Sequence, residues 1–185
     1  VVMPKDAPVK KIENAKTLGA EVVFYDRTKD SREQMAAEIA QEKNLTLIKP
    51  YDSLETIFGQ ATAAYEVIHD VNNPKIDNAI ICAGGGGLTA GSCIPLKHIN
   101  PECNIFTAEP EDWNDHEQSF NASKRVAVDT NRYGLCDGIL TPTPGEVPFA
   151  INQHYGVTGL SASDEMICEA MSFAFNRLNL KLEPS

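Results

Sequence analysis

The chain has 185 residues, with 16 Lys or Arg against 26 Asp or Glu for a formal charge of −10, and 42% of its residues are apolar. This composition is that of a soluble globular protein with enough length for a sizeable core. The negative charge and scattered cations exclude a nucleic-acid partner, and no apolar run approaches the roughly 20 residues of a membrane-spanning helix.

In chain order, "VVMP" reads as the last part of a strand that turns at Pro4, so an internal fragment of a longer chain is the expectation. "VVMPKDAP" has no basic region followed by a cleavable apolar one, which points to a cytoplasmic protein with no membrane partner. Val9, Ile12, Ala15 and Leu18 form a helical stripe over Pro8 to Leu18, with Gly19 as its stop. "EVVFYD", Glu21 to Asp26, is a short strand. Ser31 and Gln34 form a capping box for a helix that turns Met35, Ile39 and Ala40 inward, and "TLIKP" closes the unit as a further strand.

The second set begins with a helix around Ile57 to Val71 and the strand Asp77 to Ala83. A helix from Leu88 to Ile99 and the strand "NIFTAEP", ending at Glu109, follow. Strands joined by helices of this length require parallel crossovers, so the fold class is α/β with a mostly parallel sheet. Later, "TPTPGEVPF" is a Pro-rich loop that opens a helix near Glu146. "SASDEMICEAMSFAFNRL" is a Ser/Asp-capped amphipathic helix whose Met166, Met171, Phe173 and Phe175 read as core packing. Cys82, Cys93, Cys103, Cys136 and Cys168 have no metal-finger spacing and read as reduced thiols used for packing. His69, His98, His116 and His154 share no ligand spacing and read as surface or helix-face residues.

Between strand and helix lies "CAGGGGLTAG", with four consecutive glycines at Gly84 to Gly87. A strand that ends in glycines and re-enters as a helix presents bare N–H groups and the positive end of a helix dipole to one point, which is an anion site. Without Cβ atoms the backbone can close around phosphate oxygens. The stretch is not G-x-x-x-x-G-K-[ST], so a P-loop enzyme is disfavoured. A dinucleotide-binding fold stays open, because Gly85-x-Gly87-x-x-Ala90 approximates its fingerprint and Glu109 ends the next strand at about the 20-residue spacing of a ribose-binding acid. A non-catalytic α/β module that keeps an anion site also stays open.

"GQATAAYEV", "AGGGGLTAG", "EPEDWND", "CDGILTPTPGE" and "LKLEPS" occur in the order and spacing of the serine/threonine dehydratase family of pyridoxal-phosphate (PLP) enzymes, which the chain resembles over its whole length. The resemblance implies a three-layer αβα fold like the tryptophan synthase β-subunit, present in part. Residues 1–50 would belong to a small α/β domain and residues 51–185 to a large cofactor-binding domain. It implies that Gly84, Gly85, Gly86, Gly87 and the amide of Leu88 grip the cofactor phosphate, that Gly138 lies near the cofactor and that Glu183 lies beside the pyridine ring. The implied reaction removes water from threonine, serine or a related 3-hydroxy amino acid to give a 2-oxo acid and ammonia. A homodimer or higher homo-oligomer is implied for the full enzyme.

Glu109, Glu111, Asp112 and Asp115 crowd around Trp113. Such clusters are usually solvated or sit at a helix N-terminus, but a hard cation also relieves their repulsion. Some relatives bind a divalent cation in this loop, and the resemblance carries that site to Glu109, Asp115 and the carbonyl of Trp113, for Mg²⁺, Mn²⁺ or Ca²⁺. The family's S-F-K-x-R-G-A type lysine segment, S-G-N-H-G type loop and S-G-G-N type segment do not occur in the chain. No catalytic residue is therefore assigned, and the chain alone is expected to be inactive.

Overall fold

The structure is a computed structural model and describes residues 1–70 and 75–185. Two compact units divide the chain, Val1–Ile48 and Lys49–Ser185. In the first, β1 (Val2–Pro4) pairs in parallel with β2 (Val23–Tyr25), and α1 (Val9–Thr17) connects them. The helix stops because Gly19 takes a left-handed φ of +82°, which releases the chain toward β2. Next comes α2 (Arg32–Glu42). Ser31 caps it by accepting from the amide of Gln34, while the Gln34 side chain donates to Glu38 instead of completing the reciprocal box.

The expected strand "TLIKP" is not formed. These residues pair with no described strand, and Leu47 and Ile48 are exposed. A β-rich sequence becomes a strand only when a neighbour takes up its backbone hydrogen bonds.

The second unit is built on a parallel sheet in the order β3 (Asn78–Cys82), β4 (Asn104–Pro110), β5 (Thr158–Ala162). Around it lie α3 (Leu54–Asp70), α4 (Gly87–Ile99), α5 (Asp115–Ala122), α6 (Glu146–His154) and α7 (Asp164–Leu178). The expected end of the α3 helix at Val71 lies outside the described residues. A core of Ala64, Ile68, Cys93, Leu96, Cys103, Ile105 and Val157 joins α3 and α4 to the sheet. All five cysteines are free; Cys93, Cys103 and Cys136 are buried, with burial pushing the Cys93 thiol up to about 12, but Cys82 and Cys168 are exposed and do not serve as the packing residues expected.

Two elements lie where the sequence reading placed none, β5 and the α5 helix that starts within the acidic cluster. The reading of α7 also fails in part. Ser163 caps it as expected, but Met166, Phe173 and Phe175 are exposed and only Ala174 is buried. Periodicity identifies an apolar stripe but not whether another element covers it. Among the described residues no helix is long and apolar enough to cross a membrane.

Where α3 meets α4, the helices touch backbone to backbone. A Cβ on Gly91 would lie 2.5 Å from the Ile57 carbonyl oxygen and 2.7 Å from the Ala61 nitrogen. Gly91→Ala therefore forces the helices apart, and we expect it to cost about 1–3 kcal/mol. Urea denaturation should show a lower midpoint with an unchanged slope; an unchanged midpoint would show that the helices accommodate the methyl group.

Candidate functional site

The glycine run lies at the carboxyl edge of the parallel sheet, where open α/β sheets bind ligands. β3 ends at Cys82, opposite Ala108, while β4 continues to Pro110. The Ala83 amide still donates to the Ala108 carbonyl at 3.0 Å, and the chain then leaves the sheet. Gly86 holds a left-handed φ of +85° as the residue that caps α4, and a Cβ there would collide with the His116 ring. Cβ atoms on Gly85 and Gly87 would run into Tyr51, and one on Gly84 would lie 3.1 Å from Ile139 Cα. The run thus needs glycine for close approach as well as for its turn.

The carbonyls of this loop are all committed. Gly84 O accepts from His116 Nε2 at 2.9 Å, Gly85 O from the Gly145 amide at 3.0 Å, and Gly86 O from the Ala90 amide at 3.0 Å. The amides are not. Among the described residues, no protein group accepts a hydrogen bond from the N–H of Gly84, Gly85, Gly86, Gly87 or Leu88, although Gly85, Gly86 and Gly87 are buried. Buried backbone donors need an acceptor. Together with the N-terminal end of α4, they form a cradle of positive potential suited to an oxyanion.

Two expected residues from distant parts of the chain meet beside this loop. A Cβ on Gly138 would lie 3.1 Å from Glu183 Oε1, and the Gly138 amide donates to Ser185 Oγ at 3.0 Å. The segment that follows, with Ile139 and Thr141, abuts Gly84. Cys136 Sγ donates to the Pro184 carbonyl at 2.9 Å and fixes the Glu183 strand of chain in place.

The acidic cluster divides into two parts. Glu111 and Asp112 are exposed, and Asp112 pairs with Arg132. Glu109 and Asp115 are buried. Glu109 anchors the start of α5, its Oε1 accepting from the His116 amide at 2.8 Å and its Oε2 from the Glu117 amide at 3.0 Å. As a carboxylate, Asp115 has no donor for either oxygen among the described residues, and only in its protonated form does it hydrogen-bond to the Glu109 carboxyl. One ligand-type atom from each of Glu109, Asp115 and His116 lies within 4.8 Å of the others. Trp113 is buried alongside in the short 3₁₀ turn Glu111–Trp113.

Burial pushes the Asp115 carboxyl up to about 9, with the neighbouring Glu109 adding to the effect. Burial likewise raises Glu109 to about 7 despite its two backbone donors. His116 departs from the surface reading: it is fully buried, and burial pulls its imidazole down to about 4. Its neutral ring donates from Nε2 to Gly84, which leaves Nδ1 as an acceptor with no partner among the described residues. His69, His98 and His154 are exposed, as expected.

A family model described as "Pyridoxal-phosphate dependent enzyme" matches residues 1–185. The chain belongs to this PLP-dependent family. It is 38% identical over its whole length to a serine racemase of Schizosaccharomyces pombe, of which it covers 56%. It is 36% identical to an L-threo-3-hydroxyaspartate ammonia-lyase of Saccharomyces cerevisiae, again covering 56%. A threonine deaminase structure from Solanum lycopersicum superposes with a TM-score of 0.88 at 30% identity, over 99% of this chain and 52% of that one. The chain spans about half the length of the curated relatives it matches.

Membership of the PLP-dependent family sets the dinucleotide alternative aside. The geometry agrees, because the Glu109 carboxylate is engaged with two amides of α5 and does not face outward as a ribose-binding acid would. The sequence reading missed Tyr51, Gly145, Asn152 and His116, which surround the glycine loop. The available signal was Gly145 itself, at the end of the Pro-rich stretch that opens α6.

The two buried carboxyls give the PLP-family chain a pH signature in the absence of divalent ions. Their folded pKa values lie above the ordinary 3.8 and 4.5, so the folded state binds protons more tightly than the unfolded one. Their contribution to stability is complete below the ordinary values and is lost as pH rises through about 7 and then about 9. In EDTA, Asp115→Asn should raise the melting midpoint relative to the parent at pH 9 and leave it nearly unchanged at pH 4; equal differences at both pH values would contradict this.

Proposed function

We propose that the chain carries the phosphate-binding part of a cytoplasmic PLP enzyme that removes water from a 3-hydroxy amino acid of the threonine or serine class, giving a 2-oxo acid and ammonia. The observation that carries this reading is the row of amides from Gly84 to Leu88, buried at Gly85, Gly86 and Gly87, which has no acceptor among the described protein groups and so fits a phosphate ester. The activities for which the hydroxyaspartate ammonia-lyase and the threonine deaminase are named support the class of reaction. On this reading Val1–Ile48 is part of a small domain and Lys49–Ser185 much of the cofactor-binding one, in a homodimer or higher homo-oligomer.

Bound PLP withdraws electrons from the substrate's Cα and makes its proton removable. The chain's own residues bind and orient. The Gly84 to Leu88 amides and the α4 N-terminus would hold the phosphate through its negative charge, and Gly138 would lie near the cofactor. Glu183, whose neighbour Pro184 accepts from Cys136 Sγ, would lie beside the ring. A racemase is the second reading, favoured by the 38% identity to a serine racemase, since it too begins by loss of the Cα proton.

We also infer a divalent cation, Mg²⁺, Mn²⁺ or Ca²⁺, on Glu109, Asp115 and the Trp113 carbonyl. The support is the Asp115 carboxyl, which is fully buried and, when ionised, has no donor for either oxygen among the described residues. Burial raises both carboxyls and Glu109 raises Asp115 further, and a cation between them relieves that cost.

In the whole natural protein, Gly86→Val should abolish the visible absorbance of bound PLP; retained absorbance would count against the cradle. Incubation with threonine and serine should yield 2-oxo acid and ammonia, whereas D-serine without 2-oxo acid would favour the racemase. Millimolar Mn²⁺ added after EDTA should stabilise the fold by about 2.7 kcal/mol at a hundredfold excess over Kd, and Asp115→Ala should remove that gain. Equal melting midpoints in EDTA and Mn²⁺ would overturn the cation assignment.

A further inference from the structure

We propose that His116 supplies a fourth protein ligand, an imidazole nitrogen, to the cation held by Glu109, Asp115 and the Trp113 carbonyl, so that the site prefers Mn²⁺ or Co²⁺ over Mg²⁺ and Ca²⁺. This rests on the cation reading above and adds to it a ligand and a selectivity that oxygen ligands alone do not provide.

The argument starts from hydrogen-bonding capacity. A neutral imidazole has one donor nitrogen and one acceptor nitrogen. Nε2 lies 2.9 Å from the Gly84 carbonyl oxygen, which only accepts, so the ring hydrogen is on Nε2 and the lone pair on Nδ1. Nδ1 is buried without a partner among the described residues, as are both oxygens of ionised Asp115. His116 and Asp115 are both fully buried, and a ring nitrogen of His116 belongs to the same group of ligand atoms as the two carboxyls, all within 4.8 Å of one another. With Nε2 committed to Gly84, Nδ1 is the ring nitrogen left for a cation, and it and the ionised carboxyls can only accept. A single cation satisfies all of them, whereas a proton shared between the carboxyls leaves Nδ1 bare.

The other side of the ring matches this role. Ligating histidines generally donate their second nitrogen to a carboxylate or a backbone carbonyl, which fixes the tautomer and the ring orientation. Here that carbonyl belongs to Gly84, the first glycine of the phosphate cradle, and the ring also fills the space beside Gly86. One imidazole thus connects the cation to the loop that receives phosphate. The donor set of two carboxylates, a carbonyl and an imidazole differs from an all-oxygen set in the metals it favours, since imidazole suits transition ions and Mg²⁺ and Ca²⁺ are held by oxygen.

The test uses the whole natural protein freed of metal with EDTA and titrated by calorimetry with Mn²⁺, Mg²⁺ and Ca²⁺ separately. Pulsed EPR on the Mn²⁺ form should show a directly coordinated ¹⁴N, a signature that packing alone does not produce. His116→Asn places an amide oxygen near the position of Nδ1; it should abolish the ¹⁴N coupling and lower the Mn²⁺ over Ca²⁺ preference by about tenfold or more. Mn²⁺ that binds through Asp115 without ¹⁴N coupling, in unmutated protein, would overturn the histidine ligand while leaving the cation reading intact. Failure of all three ions to bind would overturn both. The EPR result on unmutated protein decides the question even if His116→Asn folds poorly.

Discussion

Peptide groups carry a donor and an acceptor in fixed opposition, and the site in this chain depends on separating the two. His116, Gly145 and Ala90 take the carbonyls of Gly84, Gly85 and Gly86, while the amides from Gly84 to Leu88 are left without protein acceptors. Holding the oxygens on one side turns the N–H groups toward the other. That arrangement is costly when buried unless an anion completes it. The neighbouring structure serves to hold the loop in place: β4 continues past the end of β3, α4 is pressed against α3 at Gly91, and Asn152 of α6 reaches to within 3.4 Å of the Gly86 carbonyl.

The acidic side of the site uses the same device with opposite sign. Glu109 lies at the end of the central strand and receives the first amides of α5, so its charge anchors a helix start. Asp115 lies in the first turn of that helix with both oxygens buried and receives no such donors. One carboxyl is thus stabilised by the fold and the other is left to an external partner or a proton. His116 adjoins both regions and binds the cradle through its remaining N–H.

A phosphate cradle does not select an amino acid. The relatives that share this chain's sequence over its whole length carry racemase, ammonia-lyase and deaminase activities. Discrimination among substrates belongs to groups that contact the amino acid itself.

Much of this was legible in the sequence because the signals are local. Ser31 and Ser163 cap helices through residues three positions away, Gly19 ends α1 through its own φ, and the glycine run marks the loop by the absence of side chains. Alternating strands and helices implied a parallel sheet, and the order of five stretches indicated the family. Other features required the tertiary structure. Nothing within a few residues of Gly138 announces Glu183, nothing near His116 announces Gly84, and the stripes of "TLIKP" and α7 look buried until their surroundings are known. Capping and backbone conformation are decided over a turn or two of chain, so sequence alone determined them. Burial, pKa shifts and convergent ligands depend on segments far apart in sequence, and only the packed fold decided those.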